Sequence, residues 1–515
     1  MRSMWPLGLE FTPPRTHDGP VHERRWDAAA GLLAGGAGLA ISLGVAWAFN
    51  TTTAVVAVAE FVRDHTPGPL AVKLVHLVKH ADKPLLIALT VVVLLGLAIF
   101  FGVLARTHQL SSEVGVVVVG AVGLAALLDQ PHVGTSAVLA VLVGIPVWIV
   151  VLRSLVARAR PAPDGRRDFL LVAGGVVVVA GLALWAGQAI SAGTRAVERA
   201  RSKLRLRVNP GIEPAGATVD VPGIVPWRTS ADDFYRIDTA LSVPAIEPSS
   251  WKLRIHGMVD REIEVTYGDL IARKLSEGWV TLCCVSNPVG GNLISNAFFS
   301  GVPVRELLAE AGVHPEADAV LQTSYDGWTC GTPIGALTDD RLAILAVAMN
   351  GEPLPLEHGF PVRTVVPGLY GYVSATKWVV DMEVTQFARF QAYWTERGWS
   401  QDGPVKTESR IDVPSSGARV PAGTVGIGGV AWAQHTGIER VEVQIDGGPW
   451  LRAELGGVPD TDTWVQWGLR VPLGAGQHQV AVRATDKSGY TQTPVAHDVV
   501  PNGATGWDSV SFSVA

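Results

Sequence analysis

Charged side chains are nearly missing from long runs between residues 28 and 190, and that gap constrains what the chain can build. A helix that crosses a bilayer needs roughly 20 mostly apolar residues. Five segments meet this, at about 28–48, 84–105, 113–129, 135–156 and 168–190. The third is short and is closed by Asp129, Gln130 and Pro131. The stretch 51–82 is apolar in part but carries Glu60, Arg63, Asp64, Lys73 and Lys79, which suits an interfacial or re-entrant segment. Residues 200–515 return to an ordinary soluble mixture and hold most of the 17 tryptophans. At 515 residues, several domains are expected, an all-α transmembrane bundle followed by a soluble half.

Lysine and arginine divide about evenly between the two sides of the spans, so positive charge leaves the topology open. Gly165-Arg166-Arg167-Asp168-Phe169-Leu170-Leu171 breaks the tie. A paired arginine followed by Phe-Leu and an apolar run resembles a twin-arginine export signal, and it stands just before the span that leads into the soluble half. The loop 157–167 is then expected inside and residues 191–515 outside. His76 and His80 share a helix-face spacing but lie outside the spans, so haem ligation is not expected. The chain has no C-x-x-C-H motif and no iron–sulfur cysteine cluster. The net charge of −6 suits solubility and argues against nucleic-acid binding.

In the soluble half, Trp251–Gly257 alternates like a strand, Tyr267–Arg273 reads as a short helix, and Val302–Ala311 has helical periodicity ending at Gly312. Strands and helices mix without βαβ regularity, which predicts an α+β domain. From about residue 415 the pattern is all-β. Glu439–Ile445 alternates, Asp446-Gly447-Gly448 is a hairpin turn, and Trp450–Leu455 follows. Further strands fall at Trp464–Val471 and Gln479–Ala484, a spacing that suits an immunoglobulin-like β-sandwich.

Two segments carry the chemistry. Thr281-Leu282-Cys283-Cys284-Val285-Ser286-Asn287 offers a thiolate at a strand end. His358-Gly359-Phe360-Pro361-Val362-Arg363, running on to Lys377-Trp378, offers an imidazole, a guanidinium and an ammonium among glycines. Together they supply a soft ligand for a transition metal and cations for a phosphorylated cofactor. That points to a redox enzyme more than to a binding module. Neighbouring strand residues face opposite sides, so Cys283 and Cys284 cannot both reach one metal. Three cysteines cannot make a disulfide framework, and Cys330 reads as a core residue.

On these residues the chain resembles the sulfite oxidase family of molybdopterin enzymes over about 225–515. The cysteine segment is similar to the family's T-L-x-C-x-x-N motif, and His358–Val366 to its H-G-F-P-V-R-x-V-V. Phe234-Tyr235-Arg236, Pro367-Gly368, Gly429-Val430-Ala431-Trp432 and Asp446-Gly447-Gly448 add to the ordered set. The resemblance implies a molybdenum–molybdopterin cofactor, with Cys284 as the metal ligand and a catalytic residue. It implies that His358, Arg363 and Lys377 bind the pterin and its phosphate and that Asn287 orients the ligand loop. It also implies substrate contacts from Arg236 and Trp399. Trp399 stands where the family has an active-site tyrosine. Pro288, Val289 and Val500 occupy positions where the family gathers arginines around a dianion. Losing those guanidiniums weakens anion recognition, so a less charged S- or N-oxygenated molecule fits as well as sulfite.

The domains expected are a cytoplasmic tail (1–27), a transmembrane domain of about five helices (28–190), a linker (191–224), the molybdopterin domain (225–405) and a sandwich of the family's dimerisation type (406–515). The expected function is a membrane-anchored oxygen-atom-transfer oxidoreductase working on a small molecule, with an unidentified electron-transfer partner and a homodimeric state implied by the family. The alternative is a non-enzymatic membrane-anchored binding protein with a vestigial pocket.

Overall fold

The computed structural model describes residues 20–49, 51–67, 82–158, 165–190 and 193–515. Apart from a short stretch near residue 70, the chain forms two compact units, up to Ala192 and from Gly193 onward.

The first unit is helical. Its long helices are α1 (Pro20–Ala48), α3 (Asp82–Ala105), α4 (Gln109–Leu128), α5 (Thr135–Arg158) and α6 (Gly165–Ile190), and all five are long and apolar enough to cross a bilayer. They fall where the apolar runs predict spans. Glycines let α1 approach its neighbours: a side chain at Gly31 or Gly102 would strike the facing backbone of α3 or α1, and Gly44 meets Gly187 of α6 in the same way. Two charge pairs lie near one end of the bundle. Arg106 donates to Asp27 at 2.9 Å, and Arg153 donates to Glu113 at 2.6 Å. The partly charged stretch after α1 opens with α2 (Ala54–Asp64), whose 11 residues are too few to span. Its Ala57 packs at the opposite end of the bundle, against Ala126 and Leu127 of α4 and Ala137 and Val141 of α5. The rest of that stretch, with His76 and His80, lies outside the described residues.

The second unit opens with α7 (Gly193–Lys203), whose Val197 is buried against Leu282, Phe299 and Phe360. Residues 204–247 then run without regular structure, yet they are no free tether. Ala217, Val219 and Val221 are buried, and the Val219 N–H donates to Gln466 Oε1 at 3.1 Å. The part of the expected 191–224 linker that carries Ala217, Val219 and Val221 therefore packs into the fold, because these alternating residues bury one face.

Two sheets follow. One has the spatial order β2 (Ile263–Thr266), β1 (Lys252–Gly257), β10 (Val379–Thr385), β5 (Ala319–Ser324), β6 (Thr329–Pro333), with only β1 and β10 parallel. The other orders β3 (Ser276–Cys283), β4 (Ile294–Pro303), β7 (Ile344–Met349), β8 (Glu352–Pro353), with β9 (Arg363–Val365) beside β7. Short helices α8 (Tyr267–Ala272), α9 (Val304–Ala311) and α10 (Ile334–Thr338) connect them. The helix expected at 302–311 begins two residues later because Val302 and Pro303 still pair with β7. It ends as expected at left-handed Gly312.

The remainder is two sheets over one core. They are β11 (Glu408–Val413), β13 (Gly423–Trp432), β17 (Val465–Leu473), β16 (Glu454–Leu455), and β12 (Arg419–Val420), β19 (Asp508–Val514), β18 (Gly476–Asp486), β14 (Ile438–Ile445), β15 (Trp450–Arg452). Ile427, Trp467, Val443, Val482 and Phe512 meet between them. Asp446 and Gly447 both take positive φ, the geometry of a type I′ hairpin turn. The run 450–455, read as one strand, divides at buried Ala453 and contributes to both sheets. A shared cluster joins the sandwich to the preceding sheets. It includes Trp279, Cys283 and Tyr370 on one side and Trp432, Trp464 and Val499 on the other. No separate compact unit begins at residue 406.

Candidate active site

Two turns bring reactive side chains to one cleft. The first follows β3. That strand ends at Cys283, whose thiol is buried among Val285, Ile294 and Tyr370. One residue later Cys284 faces a cleft of about 850 Å3, measured with its open mouth. The loop is tied at both ends. The Cys284 N–H donates to the Leu293 carbonyl at 2.9 Å, the Asn287 N–H donates to the Cys284 carbonyl at 3.0 Å, and Asn287 Oδ1 accepts the Leu293 N–H at 2.8 Å. A Cβ at Gly291 would press on Asn287 Oδ1 at 2.5 Å, so the loop closes over this amide only with glycine there. Asn287 thus fixes the loop and does not itself line the cleft.

The second turn is the 3-10 segment Leu356–His358, ended by Gly359 at φ +103°. A Cβ there would lie 2.9 Å from Arg363 Cβ and 3.1 Å from Lys377 Cα, so glycine permits the convergence of the three cationic positions. Arg363 and Lys377 line the cleft; His358 sits behind it. The imidazole donates from Nε2 to the Ala231 carbonyl at 2.9 Å, which leaves Nδ1 as a buried acceptor without a partner. Burial, then the nearby Lys377 and Arg363 charges, lowers its pKa to about 4, so it is neutral in the folded chain. Arg363 is 4% exposed, and its contacts are long ones to the His358 and Thr364 carbonyls, at 3.3 and 3.4 Å. No carboxylate among the described residues pairs with it. Lys377 is pushed down to about 8 by burial, opposed by Asp238, whose carboxylate accepts from its Nζ at 3.0 Å. The Cys284 thiol is raised by burial, while hydrogen bonds from Ser286 and the Lys377 charge pull the other way.

Arg236 is placed differently from the sequence expectation. Its side chain is 44% exposed, donates to Asp238 at 3.1 Å and does not line the cleft. Trp399 does line it, 6.1 Å from Tyr372 and 6.2 Å from Trp394 between ring centres, with its indole N–H buried and unpartnered. Val289 and Val500 pack into the apolar cluster around Cys283 and are not part of the cleft wall. Sequence reasoning missed Asp238, Ser324, Asp326, Trp328 and Tyr372, which also line the wall. Asp238 lies in irregular chain, where no periodicity marks it. Asp326 and Trp328 lie in the turn before β6, where Cys330 is buried as expected.

The oxidoreductase molybdopterin-binding domain family matches residues 240–394. An uncharacterized oxidoreductase of Bacillus subtilis, YuiH, is 32% identical over 188 residues, which cover 36% of this chain and 90% of that one. The chain belongs to the molybdopterin-binding oxidoreductases. Sulfite oxidase of Gallus gallus is 30% identical over 297 residues, 48% of this chain and 64% of that protein. The human enzyme is 29% identical over 304 residues, 49% of this chain and 55% of that protein. The chain therefore spans between half and two thirds of the length of these sulfite oxidases. The sulfane dehydrogenase SoxCD of Paracoccus pantotrophus aligns at 25% identity with a TM-score of 0.49, over 55% of this chain and 80% of that one.

The molybdopterin-binding family implies the molybdenum–molybdopterin cofactor, and the cleft suits it. The cleft wall holds both a thiol and a guanidinium that pairs with no carboxylate among the described residues. Ser324 Oγ and Trp399 Nε1 in that wall, and His358 Nδ1 and Asn287 Nδ2 behind it, are buried polar atoms with no partner among the described residues.

One pH effect follows for the cofactor-free oxidoreductase. Between about 4 and 6.5 the unfolded chain binds a proton at His358 that the folded chain refuses. Stability contributed by this group therefore falls as pH drops through that window, by about 1.4 kcal/mol per pH unit at most. Urea midpoints at the two ends of the window should differ less for His358→Gln than for the parent.

Proposed function

We propose that the chain is a membrane-anchored molybdopterin oxidoreductase that transfers an oxygen atom to or from a small, weakly charged sulfur or nitrogen compound. The convergence of the Cys284 thiol and the unneutralised Arg363 in one cleft carries this reading. Bound there, the cofactor supplies two-electron oxygen-atom transfer. Cys284 would be its protein metal ligand, with Asn287 holding the loop that aims the sulfur. Arg363 and Lys377 would hold the pterin's anionic phosphate, and neutral His358 would accept a pterin N–H at Nδ1.

The rest of the wall selects substrate. Trp328, Tyr372, Trp394 and Trp399 present flat apolar faces, and Asp326 adds negative charge. Arg236 is held away by Asp238, so a dianion finds little to bind. The Trp399 N–H can donate to an oxygen on a neutral substrate. Purified protein should contain stoichiometric molybdenum and turn over sulfoxides or N-oxides, or their reduced forms, faster than sulfite. Metal-free protein that still binds a partner would favour the alternative of a vestigial pocket.

The five apolar helices support anchoring in the cell membrane, and the sandwich reads as immunoglobulin-like, with a homodimer and a separate electron-transfer partner expected. The paired Arg166-Arg167 at the start of α6 supports export of the catalytic unit by the twin-arginine route. Changing both to lysine should trap residues 193–515 in the cytoplasm. Protease added to cells stripped of outer layers would then leave them intact, whereas unchanged cleavage would refute the export reading.

A further inference from the structure

The helical unit encloses a cavity of about 1380 Å3, open on one side, between α1, α2, α3, α4 and α5. Its wall is apolar except at a few positions, among them Ser42, Thr90 and Trp148. The Thr90 hydroxyl is already used, donating to the Leu86 carbonyl of its own helix at 3.0 Å. Trp148 is different. The residue is 8% exposed, and its indole N–H is buried with no acceptor among the described residues. Gly35, also in the wall, lies against the ring edge that bears this N–H. A Cβ there would sit 3.3 Å from Cε2, the carbon bonded to Nε1. In hydrocarbon no water can serve as the missing acceptor, so an unpaired N–H is costly.

The depth of Trp148 narrows what could pair with it. It lies near the middle of α5, which spans Thr135–Arg158. At about 1.5 Å per residue, either helix end is roughly 15–20 Å away. Phospholipid ester carbonyls stay at the bilayer surface, and acyl chains carry no acceptor. A molecule that brings a carbonyl into the bilayer interior on an otherwise apolar body has the required chemistry. We propose that this cavity binds an isoprenoid quinone, with the Trp148 N–H donating to a ring carbonyl and the apolar wall enclosing the ring and first tail units. The proposal rests on reading the five helices as membrane spans.

The test uses the full chain in phospholipid nanodiscs, titrated calorimetrically with decylubiquinone and with a short-tailed menaquinone. Saturable binding is expected for at least one of them. Trp148→Phe keeps the ring shape and removes the donor, and should weaken binding about 3- to 10-fold, the worth of one hydrogen bond. Leu94→Trp, which fills the cavity and leaves Trp148 in place, should abolish binding. Equal affinity of the Trp148→Phe variant, or phospholipid as the only molecule bound in native mass spectra, would overturn the proposal. An alkaline wash of native membranes separates it from the anchoring reading. Retention of the chain without quinone binding overturns the quinone site only, and release of the chain overturns both.

Discussion

Cys284→Ser should reduce turnover to background, while Cys283→Ser should keep most of it. The two residues are adjacent and chemically identical, so only their placement separates them. Cys284 opens onto the cleft beside Arg363 and Lys377, whereas Cys283 is 1% exposed in an apolar cluster. Removing a direct metal ligand should cost more than the roughly 10- to 100-fold that follows loss of an outer partner. A serine at 283 instead places a hydroxyl in an apolar cluster, where the thiol's own hydrogen bond is a long one to its neighbour's carbonyl at 3.5 Å. That should cost about 1–3 kcal/mol of stability with little change in rate. Turnover at saturating substrate, molybdenum content and thermal midpoint, measured on both variants, would separate the outcomes. Equal losses of activity and metal would contradict the assignment of the sulfur.

Much of this placement was legible in the sequence because it depends on short-range rules. The alternation of a strand put Cys283 and Cys284 on opposite sides, and the apolar runs located five helices within a few residues. Asp446-Gly447 could be read as a tight hairpin because both positions need positive φ. What escaped depends on contacts distant in sequence. Asp238 matters because Lys377, 139 residues later, places an ammonium on it, and nothing local to Asp238 announces this. The same carboxylate draws Arg236 out of the cleft, where a motif match alone had put it. Residues 191–224 read as a linker, because the alternation of Ala217, Val219 and Val221 is too short to mark a strand. Val219 and Val221 are nonetheless buried against the sandwich, a role visible only once Gln466 is known to accept the Val219 N–H.

Arg363→Met should have effects of opposite sign on the empty and the loaded protein. In the empty fold the guanidinium is buried, has two long carbonyl contacts and has no acidic partner among the described residues. Burial pushes its pKa down to about 10, a sign of how poorly the charge is solvated. Methionine has similar length and no charge to solvate, so the empty variant should be more stable, by about 1–4 kcal/mol if it behaves like other buried charges replaced by apolar residues. The loaded protein should respond the other way. If Arg363 holds the cofactor's phosphate through charge-assisted hydrogen bonds, losing them should weaken retention about 10- to 100-fold. Arg363→Lys should fall between, since it keeps the charge and loses the planar fork. Urea midpoints of cofactor-free protein report the first effect. Pterin released per chain after extended dialysis, read by its fluorescence, reports the second. A structural cation with no ligand to bind would show a loss of stability in the methionine variant and unchanged pterin content. Gain in one measurement with loss in the other is the outcome that assigns Arg363 to the cofactor.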